Sequence, residues 1–345
     1  MSESKRDIEN YYVKFLKKYF KELPRNQDIL MPPFGKGLVG DLIQPKWELP
    51  DKVIIMCAVT GGQVTKEMNQ NQPYTPQEIA KEGIAALDAG ATGLHIHVRD
   101  EKGKSVDDIN LFRKAIYPIL RKYPVGPKNI LDLGVHGSTA AYLPPESPEE
   151  QSQGIKNLIE ISPVRPCPQY QCDELVIAWV ETSIGYIEFL QENGIKPQLV
   201  IYDHGSIEAA ERYYIKTGIL EPPFNWLILD GLPSSSAVYE PENIIHSLLL
   251  YKKMIEHIDR KYNTESVIMV GECGRAGILM VTLAMLLGLD VRVGMEDAIF
   301  LYPHKDKKIT SNAQCVMRAK AIAEAIGREV ADANYYRKRL NLPLR

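Results

Sequence analysis

Eight times between residues 52 and 326 a short apolar run, rich in β-branched residues, gives way to a helical pattern. This alternation confines the chain to parallel-sheet α/β architectures, because successive parallel strands need a long crossover that a helix supplies. The strand-like runs are 53–59, 91–100, 129–135, a weaker one at 174–180, then 198–202, 226–229, 266–270 and 291–293. Helical patterns follow at 75–88, 107–122, 149–161, 183–193, after Asp203-His204-Gly205-Ser206 through 216, and at 242–257, 278–287 and 312–326. The first of these opens on Thr75-Pro76-Gln77-Glu78, with a capping Thr, Pro at the first helical position and Glu three residues after the cap. Eight units in about 280 residues match the count and size of a TIM (β/α)8 barrel. A doubly wound open sheet alternates in the same way, but no Gly-x-Gly-x-x-Gly follows the first run. The sequence therefore predicts a barrel over residues 51–330 and a C-terminal tail over 331–345. Before them lies an extension, residues 1–50, with an amphipathic helix at 7–22 and a Pro/Gly-rich loop.

Of the 345 residues 45% are hydrophobic, enough for one large core. A formal net charge of -3 gives no reason to expect nucleic acid or an anionic membrane as partner. No apolar run approaches the roughly 18 residues of a membrane span. The first residues lack the basic-then-apolar order of a secretory signal. Five cysteines, scattered and odd in number, suit a reducing cytoplasm better than a disulfide framework.

In a TIM barrel the chemistry sits at the C-terminal ends of the strands, and the unusual polar residues fall there repeatedly. They are Thr60 and Gln63 after the first run, His95, His97 and Arg99 at the second, and His136 and Ser138 after the third. Asp203 and His204 follow the fifth, Glu272 and Arg275 the seventh, and Arg292, Glu296 and Asp297 mark the eighth. His95 and His97, two apart in a strand, share a face and can act as a pair of metal ligands or as hydrogen-bonded interior histidines. Glu296 can complete a His, His, Glu set that suits catalytic zinc, with manganese or iron also compatible. Asp297 would then lie beside the metal as a base, held ionised by Arg292. The alternative for Arg292 and Asp297 is a structural ion pair closing the barrel. Arg275 can bind a carboxylate or phosphate, or pair with Glu272.

Four segments resemble the β-keto acid cleavage enzymes, the family of 3-keto-5-aminohexanoate cleavage enzyme. They are Ala58-Val-Thr-Gly-Gly62 with Pro73-Tyr-Thr-Pro-Gln-Glu78, the His-x-His run 89–99, Gly271-Glu-Cys-Gly-Arg275, and 292–300 with Ser311-Asn-Ala-Gln314. The resemblance implies a homo-oligomeric TIM barrel, dimer or tetramer, with a divalent metal, usually zinc, on His95, His97 and Glu296. It implies Asp297 as the proton-transfer group and Arg292 as its orienting partner. The implied reaction is a reverse-Claisen-type exchange in which a β-keto acid and acetyl-CoA give acetoacetate and a new acyl-CoA. The chain departs from the pattern at Gln63, where the aminohexanoate enzyme has the Glu that meets its substrate's ammonium. A neutral amide disfavours that substrate. The family's Ser-Thr-Gly-Gly segment reads Gly134-Val-His-Gly-Ser138 here, moving its role to His136 or Ser138. Leu232-Pro-Ser-Ser235 and Asp203-His204-Gly205 also differ from the family's loops.

Two other functions fit the same residues. One is a CoA-independent, metal-dependent lyase or hydrolase of an oxo or hydroxy acid, with His136 or His204 as acid/base. The other is a barrel that binds a metal complex without catalysis.

Overall fold

The computed structural model describes residues 14, 18, 46–135, 138–145, 155–171, 174–232 and 240–345. The chain divides into two units, Met1–Glu48 and Leu49–Arg345. Of the helix expected at 7–22, Lys14 and Lys18 are described; both are helical and exposed, and the rest lies outside the described residues.

The second unit is a closed barrel of eight parallel strands. They are β1 (Ile55–Ala58), β2 (Gly93–Ile96), β3 (Leu131–Leu133), β4 (Ile161–Val164), β5 (Lys196–Ile201), β6 (Asn225–Ile228), β7 (Val267–Gly271) and β8 (Asp290–Val293). Pairing of β8 with β1, Val291 opposite Ile55, closes the circle. The helices are α1 (Pro76–Asp88), α2 (Ile109–Lys122), α3 (Val180–Glu192), α4 (His204–Ala210), α5 (Pro241–Tyr262), α6 (Gly277–Leu286), α7 (Asn312–Ala325) and α8 (Ala333–Arg339). The capping box read at the start of α1 is present, with Thr75 and Glu78 bonded reciprocally to each other's backbone N–H.

One expectation is corrected. The fourth barrel strand is Ile161–Val164, where the sequence suggested the end of a helix. The run at 174–180 supplies instead one arm of a surface hairpin, Glu174–Val176 antiparallel to Gln169–Gln171. The apolar, β-branched run there does form a strand, but in an edge hairpin. The described connection after β3 contains a 3-10 turn, Thr139–Ala141.

Alternation along the strands sorts the core into two layers. Val53, Ile55, Cys57, Leu94, Ile96, Leu131, Leu133, Val291 and Val293 point outward into the layer shared with the helices. Ile54, Met56, Val200, Leu227, Val267 and Met269 point inward and fill the barrel. The same inward row carries Asp132, His95 and Arg292 towards the strands' C-terminal ends, so the interior turns from apolar to charged along the barrel axis.

Residues 331–345, expected as a tail, close the barrel's N-terminal mouth. Ala333, Tyr336 and Leu340 join the interior core. The Tyr336 phenol donates to Asn225 Oδ1 at the start of β6 (3.1 Å). Arg337, fully buried, forks onto Glu160 ahead of β4 at 2.9 and 2.7 Å and also donates to the carbonyls of Gly126 and Asn129. Just before them, Glu329–Val330 pairs in parallel with Lys52–Val53, and Arg328 donates to the carbonyls of Pro50 and Lys52.

Candidate metal centre and active site

Three neighbouring strands deliver the site. His95 on β2 lies opposite Ala58 of β1 and Asp132 of β3. The imidazoles of His95 and His97 lie edge to face, with centroids 5.0 Å apart. Glu296 enters from the turn after β8, where its backbone N–H reaches the Ala58 carbonyl at 3.3 Å. Its carboxylate lies 3.3 Å from His95 Nε2 and 3.5 Å from His97 Nε2. The candidate ligand atoms of His95, His97 and Glu296 all fall within 4.8 Å of one another.

The surroundings fix these side chains. His95 Nδ1–H donates to Asp132 Oδ2 at 2.7 Å, which leaves Nε2 as the lone-pair nitrogen facing Glu296. Nε2 and Glu296 Oε2 are both buried and neither makes a hydrogen bond. Burial alone pulls the His95 pKa down, yet the Asp132 and Glu296 carboxylates more than reverse this, against Arg292, and raise it to about 10. Two carboxylates around one buried imidazole favour positive charge at Nε2, which a proton or a metal ion can supply. His, His and Glu with a carboxylate behind one His is the donor set of a catalytic zinc site, so the residues fit a divalent metal. Room for it is kept by glycines: a Cβ on Gly134 would sit 2.0 Å from His97 Nε2, and one on Gly61 2.3 Å from Glu296 Cγ.

Arg292, buried on β8, joins this centre to Asp297. Its Nη2 is 2.8 and 2.7 Å from the two carboxylate oxygens of Asp297 and 3.3 Å from Glu296 Oε1. Burial opposes the guanidinium charge, but Asp297 and Glu296 outweigh it and raise the Arg292 pKa. Burial pushes the Asp297 carboxyl up, Arg292 pulls it back and Glu296 adds to the rise, leaving it at about 6. Glu296 is held well below the usual carboxylate range, because His95, Arg292 and His97 together overcome its burial.

A cavity of about 330 Å³ opens on this centre, and of the residues singled out in the sequence Gln63, His97, Glu296 and Asp297 are on its wall. The sequence reading missed Lys104, Ser105, Arg165, Tyr202 and Leu229, which also line it. It missed Asp132 as well, although an Asp in the middle of an apolar strand run was a signal.

Several expected substrate contacts lie elsewhere. Thr60 Oγ1 donates to the Pro73 carbonyl and accepts from Gln72, tying down the loop after β1. Arg99 donates to the carbonyls of Gly103 and Val64 and stacks over Tyr74. Asp203 caps α4 through the N–H and hydroxyl of Ser206, and His204 stacks on Tyr251 with ring centroids 4.5 Å apart. Glu272 pairs with Arg318. Arg275 pairs with Asp306 and lies over the Phe300 ring, so the Arg275–Glu272 pair considered from sequence is not formed. Ser138 binds Asp107, whose carboxyl is raised by burial and drawn down by His97 and that hydroxyl. His136 lies outside the described residues.

The family model described as beta-keto acid cleavage enzyme matches residues 52–342. The chain belongs to the β-keto acid cleavage enzyme family. Among its relatives, a 3-keto-5-aminohexanoate cleavage enzyme from Fusobacterium nucleatum is 31% identical over 304 residues, covering 85% of this chain and 98% of the relative. A 3-dehydrocarnitine:acetyl-CoA trimethylamine transferase from Rhizobium meliloti is 26% identical, covering 85% and 98%. Among solved structures, the binary complex of ObcA with oxaloacetate is similar in fold, with a TM-score of 0.63 at 18% identity over 79% of this chain and 68% of that one. Family membership accounts for the enzyme's barrel and for the four segments that carry its polar rim.

Proposed function

We propose that this family member exchanges acyl groups between a β-keto acid and acetyl-CoA at the centre formed by His95, His97, Glu296, Arg292 and Asp297. The carbon–carbon bond of the keto acid breaks and the acetyl group takes its carboxymethyl fragment, giving acetoacetate, while the released acyl group leaves as its CoA thioester. The observation that carries this reading is a three-ligand cluster set against a buried Arg–Asp pair on the wall of one cavity. His95, His97 and Glu296 would hold a divalent metal, with zinc favoured by two imidazoles and one carboxylate. When bound, such an ion supplies a Lewis acid for the substrate's oxygens.

The other roles belong to the chain itself. Asp297 accepts or returns a proton at its carboxylate, and Arg292 holds that carboxylate in place. Asp132 keeps the His95 proton on Nδ1. Tyr202 and Leu229 form a wall that limits water around the reacting atoms. The free thiols at Cys57, Cys167, Cys273 and Cys315 support a reducing, cytoplasmic setting. No described helix is long and apolar enough to cross a membrane. The resemblance supports a homo-oligomer.

The test is metal analysis of untagged protein purified without chelator, beside acetoacetate formation with and without acetyl-CoA. About one zinc per chain, lost in His95→Ala, with acetoacetate formed only when acetyl-CoA is present, is the expected result. Turnover without acetyl-CoA would favour a lyase or hydrolase on the same centre. No metal after reconstitution would sink the reading.

A further inference from the structure

The cavity above the centre has a charged wall that the exchange reaction does not itself require. Glu296 and Asp297 are committed to the histidines and to Arg292. Among the described residues the other ionic groups on the wall are Lys104 and Arg165, both cationic, and Gln63 contributes a neutral amide. Resting on the reading above, we propose that the β-keto acid carries a second carboxylate at its far end, held by Arg165 with Lys104 at the rim. The substrate class is then a β-keto dicarboxylate.

Arg165 is built to do this. It follows the last residue of β4, so its side chain starts from a strand end at the barrel mouth. Its carbonyl accepts from Ser183 Oγ of α3 at 3.3 Å, which pins the backbone. Its guanidinium hydrogen-bonds the phenol of Tyr202, a buried residue that also feels the charges of Arg292 and Asp297. Tyr202 is thus within reach of both Arg165 and the metal-side cluster, and all of them stand on the wall of one cavity. A half-buried, strand-anchored guanidinium beside Val176 and Leu229 presents a planar fork in a weakly hydrated place. Its natural complement is a carboxylate. Lys104, exposed in the hairpin that joins Val98–Arg99 to Ser105–Val106, adds a mobile positive charge at the entrance and favours anionic ligands during approach. Among the described residues that line the cavity, a substrate with an ammonium tail would meet two like charges, and the carboxylates there are the metal-side pair. The same two cations can also serve a phosphate of CoA, so the experiment must separate the two anions.

The test is calorimetric binding to the metal-loaded full-length protein. The probes are glutarate, adipate and pimelate against pentanoate, hexanoate and heptanoate, with 6-aminohexanoate and CoA as further ligands. One of the dicarboxylates is expected to bind at least about tenfold more tightly than its matched monocarboxylate. 6-Aminohexanoate is expected to bind more weakly than hexanoate. The preference should collapse towards unity in Arg165→Gln and survive in part in Arg165→Lys, which keeps the charge without the fork. Unfolding curves of both variants check that they are folded. Equal binding of the matched acids by the wild type would overturn the inference. So would a preference that survives Arg165→Gln while CoA binding is lost, since the cation would then belong to CoA. Acetoacetate assays on β-keto acids with and without a terminal carboxylate separate this result from the reaction itself. A dicarboxylate preference with no turnover leaves the anion subsite standing and removes the proposed reaction. Turnover without any such preference does the reverse.

Discussion

At the scale of single residues the centre depends on side chains that touch no substrate. Asp132 holds His95 through one hydrogen bond of 2.7 Å. If the centre holds the proposed divalent metal, Asp132→Asn is expected to lower its affinity by about tenfold to a hundredfold, read by competition with a chelator. Gly134→Ala places a methyl where the His97 imidazole now lies, so His97 must move. Its metal occupancy after dialysis against a weak chelator should fall below that of the wild type while the melting curve still shows a folded barrel. Asp297→Asn keeps the shape and removes the proton acceptor. It should cost about a hundredfold to ten-thousandfold in kcat with metal content unchanged, whereas a merely structural Asp297 would lower stability and leave kcat close to normal. The sequence made the candidate ligands legible because metal chemistry needs rare residue types at short spacing. Arg165 escaped because one charge beside a strand has no spacing to betray it, whereas the signal of Asp132, a charge inside an apolar run, was there to be read. Thr60 and Arg99 misled for the opposite reason: they stand at strand ends but spend their polarity on backbone carbonyls of nearby loops.

Among the elements, α1 shows how a local signal survives into the fold. Thr75, Pro76 and Glu78 specify its first turn without help from distant residues. Burial is the largest single effect and raises the Glu78 carboxyl, but Lys66 and the N–H groups of Thr75 and Tyr74 together outweigh it and lower the pKa from 4.5 to about 2. A depressed carboxyl stabilises the fold above its unfolded pKa, and that contribution is lost as pH falls through the folded value. The melting temperature of wild type should therefore exceed that of Glu78→Gln at neutral pH, with the gap closing between about pH 4.5 and pH 2. A gap independent of pH would mean that the charge of Glu78 is irrelevant. The fourth strand shows where local signals fail. Ile161-Ser-Pro-Val164 is four residues long and contains a proline, which ordinarily marks a strand as an edge or excludes it. Its pairing with β3 is confined to Asp132 opposite Ile161, so closure of the barrel rather than local propensity keeps it a strand. The run 174–176 has the better pattern and goes to a hairpin because the barrel already has its eight strands.

Over the whole molecule, stability and chemistry occupy opposite ends of one sheet. The candidate metal ligands and their partners gather at the strands' C-terminal ends, while Arg337, Glu160, Tyr336 and Asn225 lock the other end. Arg337→Met leaves Glu160 buried with its strongest partner gone, and should destabilise the fold by about 3–5 kcal/mol. In denaturant titrations the midpoint should fall, while zinc affinity under native conditions stays at the wild-type value. A parallel loss of metal affinity would mean that the two ends are coupled. The barrel itself was legible from its eightfold rhythm, since the rhythm is a property of the strands alone. The floor was not, because a seven-residue helix with three basic residues looks like solvent-exposed chain until the ends of the strands are seen to receive it. That floor also ties distant parts of the sequence together. Ala333, Tyr336 and Leu340 cover the inward row of Ile54, Met56, Val200, Leu227 and Met269 from more than a hundred residues beyond most of the strands. Contacts of such separation carry the closure entropy of nearly the whole barrel, so a short helix late in the sequence completes a burial begun by its first strands.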